Sequence, residues 1–171
     1  MSVIEHKKEA PNSVNVMVIT VSDTRDKATD RSGQTMMQLL EEQGHHVTKY
    51  RIVKDEQEEI HSALKEGCES PEVDVIITNG GTGICKRDVT IETVTKILDK
   101  EMPGYGEIFR MLSYTEDIGS AAILSRAIAG VAKGTVIFST PGSTGAVKLA
   151  MNKLILPEIT HVVREVRKDL Q

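Results

Sequence analysis

Between Val73 and Thr90 the stretch VDVIITNGGTGICKRDVT brings together residue types suited to binding and neutralising anions. An apolar, β-branched run (Val73, Val75, Ile76, Ile77) reads as a buried strand and stops at Asn79-Gly80-Gly81-Thr82-Gly83. Closely spaced glycines let backbone N–H groups approach an anion with no Cβ in the way. Two cations and an acid follow, Lys86-Arg87-Asp88. An aspartate in that place can hold a Mg²⁺ that bridges phosphate oxygens. Thr90 then reads as the N-cap of an amphipathic helix with Ile91, Val94 and Leu98 on one face. Strand, glycine loop, charged cluster and helix start compose an anion-binding turn at the carboxyl end of a sheet. The plainer reading, a tight turn with a surface Arg87–Asp88 pair, stays open on spacing alone.

Two familiar phosphate motifs are absent. No Gly-x-x-x-x-Gly-Lys-Ser/Thr string occurs, and after Gly81-Thr82-Gly83 the third glycine of a dinucleotide fingerprint is replaced by Lys86. Asp55 opens a helical stretch, and with Glu58 it has the spacing of a capping box, which explains it as a structural residue. Ser113 and Ser125 have no adjacent base, so a nucleophilic role has little support. Cys68 and Cys85 form neither a disulfide framework nor a metal motif; Cys85 lies beside two cations that would lower its pKa, yet reads more simply as a bystander. His6, His45, His46, His61 and His161 show no metal-ligand spacing and read as structural or surface residues.

The elements that must position these residues alternate. Val14 to Val21 is a first strand, apolar throughout, ending in Ser22-Asp23-Thr24-Arg25. A helix with Met36, Met37, Leu39 and Leu40 on its apolar side ends at Gly44. His46 to Val53 is a shorter, more polar strand near an edge. The helix from Asp55 buries Ile60, Ala63, Leu64 and Gly67. Met102 to Glu107 reads as a turn-rich loop, followed by two short helices, Ile108 to Ser113 and Ser120 to Ala129. Gly134 to Ser139 is another buried strand, and Pro141-Gly142-Ser143 follows it. A helical stripe through Val147, Ala150, Met151, Leu154 and Ile155 breaks at Pro157, which suits the first turn of a new helix. This order predicts an α/β fold, a mostly parallel sheet covered on both sides. The strand ends at Ser22-Asp23, Asn79 to Gly83 and Pro141 to Ser143 would then share one sheet edge, where such folds bind ligands.

The 171 residues, 39% hydrophobic and 27% charged, suit a single domain from residue 14 to 171 behind a flexible polar tail of residues 1–13. A net charge of −4 disfavours a nucleic-acid partner. No apolar run reaches the ~20 residues of a membrane span. The N-terminal stretch lacks the apolar core of a signal peptide, so the cytoplasm is the expected location.

Six motifs in order carry a family resemblance: Thr20-Val21-Ser22-Asp23-Thr24 with Asp30-Arg31-Ser32-Gly33; Asp55-Glu56; Thr78 to Gly83 with Arg87-Asp88-Val89-Thr90; Met102-Pro103-Gly104-x-Gly106-Glu107; Ile123-Leu124-Ser125-Arg126; and Pro141-Gly142-Ser143. Together they resemble the MoaB/Mog family of molybdenum-cofactor biosynthesis proteins, closer to the MoaB branch. The resemblance implies a three-layer α/β/α domain of the molybdopterin-binding type. It further implies assembly into homotrimers or homohexamers and other enzymes of the same pathway as partners. The implied activity is adenylation, in which molybdopterin and ATP with Mg²⁺ give adenylylated molybdopterin and pyrophosphate. By the same resemblance Asp55 and Asp88 are the catalytic acids and metal ligands, and Gly80, Gly81, Thr82 and Gly83 surround the nucleotide phosphates. Ser22, Asp23, Glu107, Ser113 and Ser125 lie near the substrate, and Pro141, Gly142 and Ser143 bind the pterin phosphate. One departure is Ser143-Thr144-Gly145-Ala146 after Pro141-Gly142, where many adenylating relatives have Asn-Pro or Gln-Pro. It supports an alternative, a non-catalytic molybdopterin carrier or scaffold.

Overall fold

Central strands buried on both faces, with helices over each, build the molecule as three layers. The computed structural model describes residues 2–170. Its strands are β1 (Asn15–Val21), β2 (His46–Val53), β3 (Val75–Asn79), β4 (Lys100–Glu101), β5 (Ile128–Ala132) and β6 (Thr135–Thr140). They form one sheet in the order β2-β1-β3-β6-β5-β4. The first four strands in that order run parallel, and β5 and β4 pair antiparallel at one edge. Successive side chains of a strand point to opposite faces. Val16, Val18, Val75, Ile77, Val136 and Phe138 therefore enter one core, and Met17, Ile19, Ile76 and Ile137 enter the other.

The first core is closed by helices α2 (Arg31–Glu42), α5 (Pro103–Glu116), α6 (Thr144–Ala150) and α7 (Leu156–Arg167), through Met36, Leu40, Phe109, Val147 and Ile159. The second is closed by α3 (Gln57–Glu69) and α4 (Thr90–Ile97), through Ile60, Leu64 and Val94. A strand buried on both faces must be apolar throughout, which is why β1 and β3 are the most legible elements. β2 is an edge strand, as its polarity predicted.

Several local expectations need correction. Met102 to Glu107 is not a loop: Pro103 is the first residue of the 14-residue α5, where its missing N–H costs nothing. The alanine-rich segment read as a helix is a 3₁₀ turn (Gly119–Leu124) followed by β5. A two-residue hairpin at Lys133-Gly134, with φ of 49° and 78°, pairs β5 with β6. Two consecutive positive-φ residues match the twist of antiparallel strands. Small residues are required there because a Cβ on Gly130 would sit 2.2 Å from the Lys100 carbonyl oxygen of β4. Pro157 does not break the helical stripe. A π-turn at Met151–Ile155 joins α6 to α7 just ahead of it, and a widened turn accommodates a residue lacking the N–H of the helical ladder.

Within the segment expected as a tail, α1 (Val3–Lys8) is a short helix with a Ser2/Glu5 capping box. It docks on α7 through His6–Glu165, Lys7–Glu158 and Glu9–Arg164. A polar composition does not disclose partners about 150 residues away in the chain. Among the described residues no helix is long and apolar enough to cross a membrane.

Candidate active site

The carboxyl ends of β1, β3 and β6 converge on a cleft of about 530 Å³. Its floor is the loop after β3. Gly80 and Gly81 have φ of +94° and +65°, and a Cβ on Gly80 would lie 2.2 Å from the Val21 carbonyl oxygen. Backbone approach this close and this conformation favour glycine. Beneath the loop lies a buried polar network. Asn79 Nδ2 donates to Thr20 Oγ1 at 2.9 Å, and Thr20 donates on to Asp30 Oδ2 at 2.6 Å. Asp30, fully buried, also accepts from the Tyr50 hydroxyl at 2.5 Å and the Gly33 N–H at 3.0 Å. Burial, then the Asp30 carboxylate, pushes the Tyr50 phenol far above its usual range, so it stays a donor. The network locks the ends of β1 and β3 together.

Two carboxylates lie against the loop. A Cβ on Gly81 would come 2.9 Å from Asp55 Oδ1, and one on Gly83 would come 2.6 Å from Asp88 Oδ2. Asp55 is not the cap of α3, which has Glu56 at its cap position and no side-chain cap bond. Asp55 instead exchanges hydrogen bonds with Asp23: its Oδ2 accepts from the Asp23 N–H at 3.0 Å, and its own N–H donates to Asp23 Oδ1 at 3.1 Å. Asp88 accepts the Cys85 N–H at 3.0 Å, closing a tight turn. Thr90, expected as a cap, is the first residue of α4 and donates to the Gly80 carbonyl at 3.0 Å.

Charge is distributed unevenly around these acids. Arg87 forks onto Asp23 at 2.8 and 3.0 Å and onto Glu56 at 2.9 Å. That contact holds the Asp23 carboxyl below its usual range. Among the described residues no cation forms an ion pair with Asp55; burial first, then the Asp23 charge, holds its carboxyl above the usual range, and Asp88 adds in the same direction against a smaller opposing pull from Arg87. Carboxylates gathered against one glycine loop are suited to a hard divalent cation with oxygen ligands, so Asp55 and Asp88 fit Mg²⁺.

Two arginines complete the cleft, and sequence spacing assigned neither a role. Arg126 reaches behind the loop and donates to the carbonyls of Thr82 (3.0 Å), Gly83 (2.7 Å) and Asp88 (3.2 Å), with Glu92 as its ion partner. Arg25 lines the cleft, donates to the Gly142 carbonyl at 3.2 Å and lies 3.7 Å from Asp30. Ser32 donates to the same carbonyl at 2.7 Å. Arg126 stands inside a legible motif and Arg25 directly after one, but a side-chain contact to loop carbonyls leaves no spacing signature.

The residues singled out in the sequence divide accordingly. Ser22, Asp55, Gly80, Gly81, Thr82, Gly83, Asp88, Ser125, Pro141 and Gly142 all line the cleft. Asp23 stands at its rim, facing Arg87. Ser143 caps α6, accepting the Ala146 N–H at 3.2 Å. Glu107 is exposed on α5, and Ser113 is buried within that helix, 2% exposed; neither lines the cleft in the single chain. Cys85 is exposed, while burial pushes the Cys68 thiol up to about 11.

Parallel strands covered on both faces, with a glycine loop and an acid pair at their carboxyl edge, define an open-sheet α/β domain with a polar cleft at the edge where such folds bind ligands. Residues 17–161 match the family described as "Probable molybdopterin binding domain". The chain belongs to that family, which includes MoaB and Mog. It is 63% identical over 169 residues to molybdenum cofactor biosynthesis protein B of Bacillus subtilis strain 168, covering 99% of each chain. A crystal structure of a molybdenum cofactor biosynthesis protein B superposes with a TM-score of 0.91 at 57% identity, covering 94% of this chain and 99% of that one. The tungsten cofactor synthesizing protein MoaB of Pyrococcus furiosus gives 0.82 at 41% identity, covering 92% and 99%.

Proposed function

We propose that the protein acts in molybdenum cofactor biosynthesis, binding molybdopterin in the carboxyl-edge cleft and adenylating it with Mg²⁺ and ATP. The observation that carries this reading is the placement of Asp55 and Asp88 against the Gly80–Gly83 loop in one cleft. Loop N–H groups and Arg25 hold phosphate oxygens; Asp55 and Asp88 supply carboxylate ligands for the metal. Mg²⁺, when bound, neutralises charge on the triphosphate and on the leaving pyrophosphate. A phosphate oxygen of the pterin attacks the α-phosphorus of ATP, a new P–O bond forms, and the bond to the β-phosphate oxygen breaks. The chain's own work is alignment and charge neutralisation, since this chemistry needs no covalent protein intermediate. Release of pyrophosphate from molybdopterin, ATP and Mg²⁺ tests it. Asp88→Asn is expected to reduce turnover at least about a hundredfold; unchanged turnover would sink the role given to Asp88.

A second reading, a molybdopterin carrier without turnover, is favoured by Ser143, whose hydroxyl is engaged as the α6 cap and stands outside the cleft lining. Tight pterin binding by calorimetry with no pyrophosphate release would select it. Assembly into a homotrimer or homohexamer is part of the same proposal. Ile118 and Leu124 are exposed at the cleft wall, and Ile84 and Ile123, chain neighbours of the lining residues Gly83 and Leu124, are exposed too, Ile123 by 86%. Large apolar side chains exposed in this number suit an interface, and a monomer on light scattering would refute the assembly.

A further inference from the structure

Away from the cleft, His6 of α1 meets His161 and Glu165 of α7. One ligand atom of each lies within 4.8 Å of the other two, and all three side chains are partly buried. His161 and Glu165 are one helical turn apart, the i, i+4 spacing that puts two ligands on one face. His6 arrives from the opposite helix, with its Nδ1 2.9 Å from Glu165 Oε1. The two imidazole centroids are 6.0 Å apart at an interplanar angle of 64°.

We propose that His6, His161 and Glu165 form a binding site for a divalent transition metal such as Zn²⁺, which staples α1 to α7. A tetrahedral ion with Zn–N and Zn–O bonds of about 2.0–2.1 Å needs ligand atoms about 3.4 Å apart and ring centres about 5 Å apart. The observed spacings close to those values by side-chain shifts of about 1 Å. His161 is already oriented: its Nδ1 lies 2.8 Å from Glu158 Oε2. That contact fixes the tautomer with Nε2 free as the ligand atom, the carboxylate–histidine–metal arrangement. Two neutral imidazoles and one carboxylate form the donor set of many zinc sites and leave a fourth position to water. The surroundings are balanced, with Glu9 and Glu158 beside Lys7, Arg164 and Lys168. Glu165 is also held by two cations, Arg164 Nη1 on Oε1 at 2.6 Å and Lys168 Nζ on Oε2 at 3.0 Å, and both shift aside as the ion takes the carboxylate. The site lies near the amino edge of the sheet, where Arg167 of α7 pairs with Asp74 just before β3. It is therefore at the opposite end from Asp55 and Asp88.

The test uses tag-free, EDTA-treated full chain and Zn²⁺ alone, followed by calorimetry and by amide hydrogen exchange of residues 3–8. One equivalent per chain is expected, with slower exchange in α1 on binding. His6→Ala and His161→Ala should each weaken binding at least about tenfold, and Glu158→Gln by about tenfold through loss of the orienting bond. The double variant Asp55→Asn/Asp88→Asn should bind Zn²⁺ at this site as before. Failure to bind, binding indifferent to both histidine variants, or binding that leaves exchange in α1 unchanged would each overturn the proposal. His6→Ala changes only the short terminal helix, so its fold is checked directly by circular dichroism.

Discussion

Arg126→Lys isolates the clamp behind the glycine loop. The guanidinium donates to three carbonyls, those of Thr82, Gly83 and Asp88, while also pairing with Glu92. Lysine keeps the charge but presents a point donor on a flexible stem, so it can replace one of the three carbonyl contacts. Each hydrogen bond from a charged group contributes about 1.5–3 kcal/mol when well buried. The Arg126 side chain is 29% exposed, and water at its edge lowers the value, so losing two contacts should cost about 1–3 kcal/mol. For a domain of this size that is a fall in Tm of about 2–12 °C. The ion pair is worth less: Glu92→Gln at a half-exposed carboxylate should cost under about 1 kcal/mol. The effect on function should be larger than that on stability. A glycine loop shifted by ~1 Å displaces Asp88 and the phosphate-binding N–H groups together, worth about a hundredfold in turnover. Thermal melts and pyrophosphate release on wild type, Arg126→Lys and Glu92→Gln separate the terms. Equal losses in the two variants, or an Arg126→Lys protein with unchanged Tm and turnover, would refute the clamp.

Two further perturbations follow from the same geometry. Gly80→Ala places a Cβ 2.2 Å from the Val21 carbonyl at a φ of +94°, and should cost about 3 kcal/mol or more in chemical denaturation, since backbone rather than a flexible tip must move. Asp55→Asn keeps an acceptor for the Asp23 N–H but removes a carboxylate whose pKa is raised by burial and by Asp23. A raised carboxyl contributes stability below its unfolded pKa of about 3.9 and loses it as pH rises through the folded value. Without metal, then, the variant should melt no lower than wild type at pH 7, with the difference vanishing in acid, while its pyrophosphate release collapses. A variant that melts lower than wild type at pH 7 would show that Asp55 holds the fold through its charge.

The sequence by itself determined the alternation of strands and helices, the doubly buried β1 and β3, and the polar edge strand β2, because burial on two faces forces continuous apolar runs. It also determined the glycine loop: close backbone approach and positive φ leave few residues other than glycine. Residues 102–132 were misread, because α5 opens on proline and glycines while β5 is rich in small residues. Local propensity there is overridden by the hairpin at Lys133-Gly134 and by the close approach of β4. The role of Asp55 was equally hidden. Its spacing fits a helix cap, yet its carboxylate accepts from Asp23, 32 residues away, and faces the loop across the sheet edge. Arg126 reaching the Thr82, Gly83 and Asp88 carbonyls and His6 meeting His161 are of the same kind. Such contacts join segments tens to more than a hundred residues apart, and only the packing of parallel strands and their covering helices brings them together.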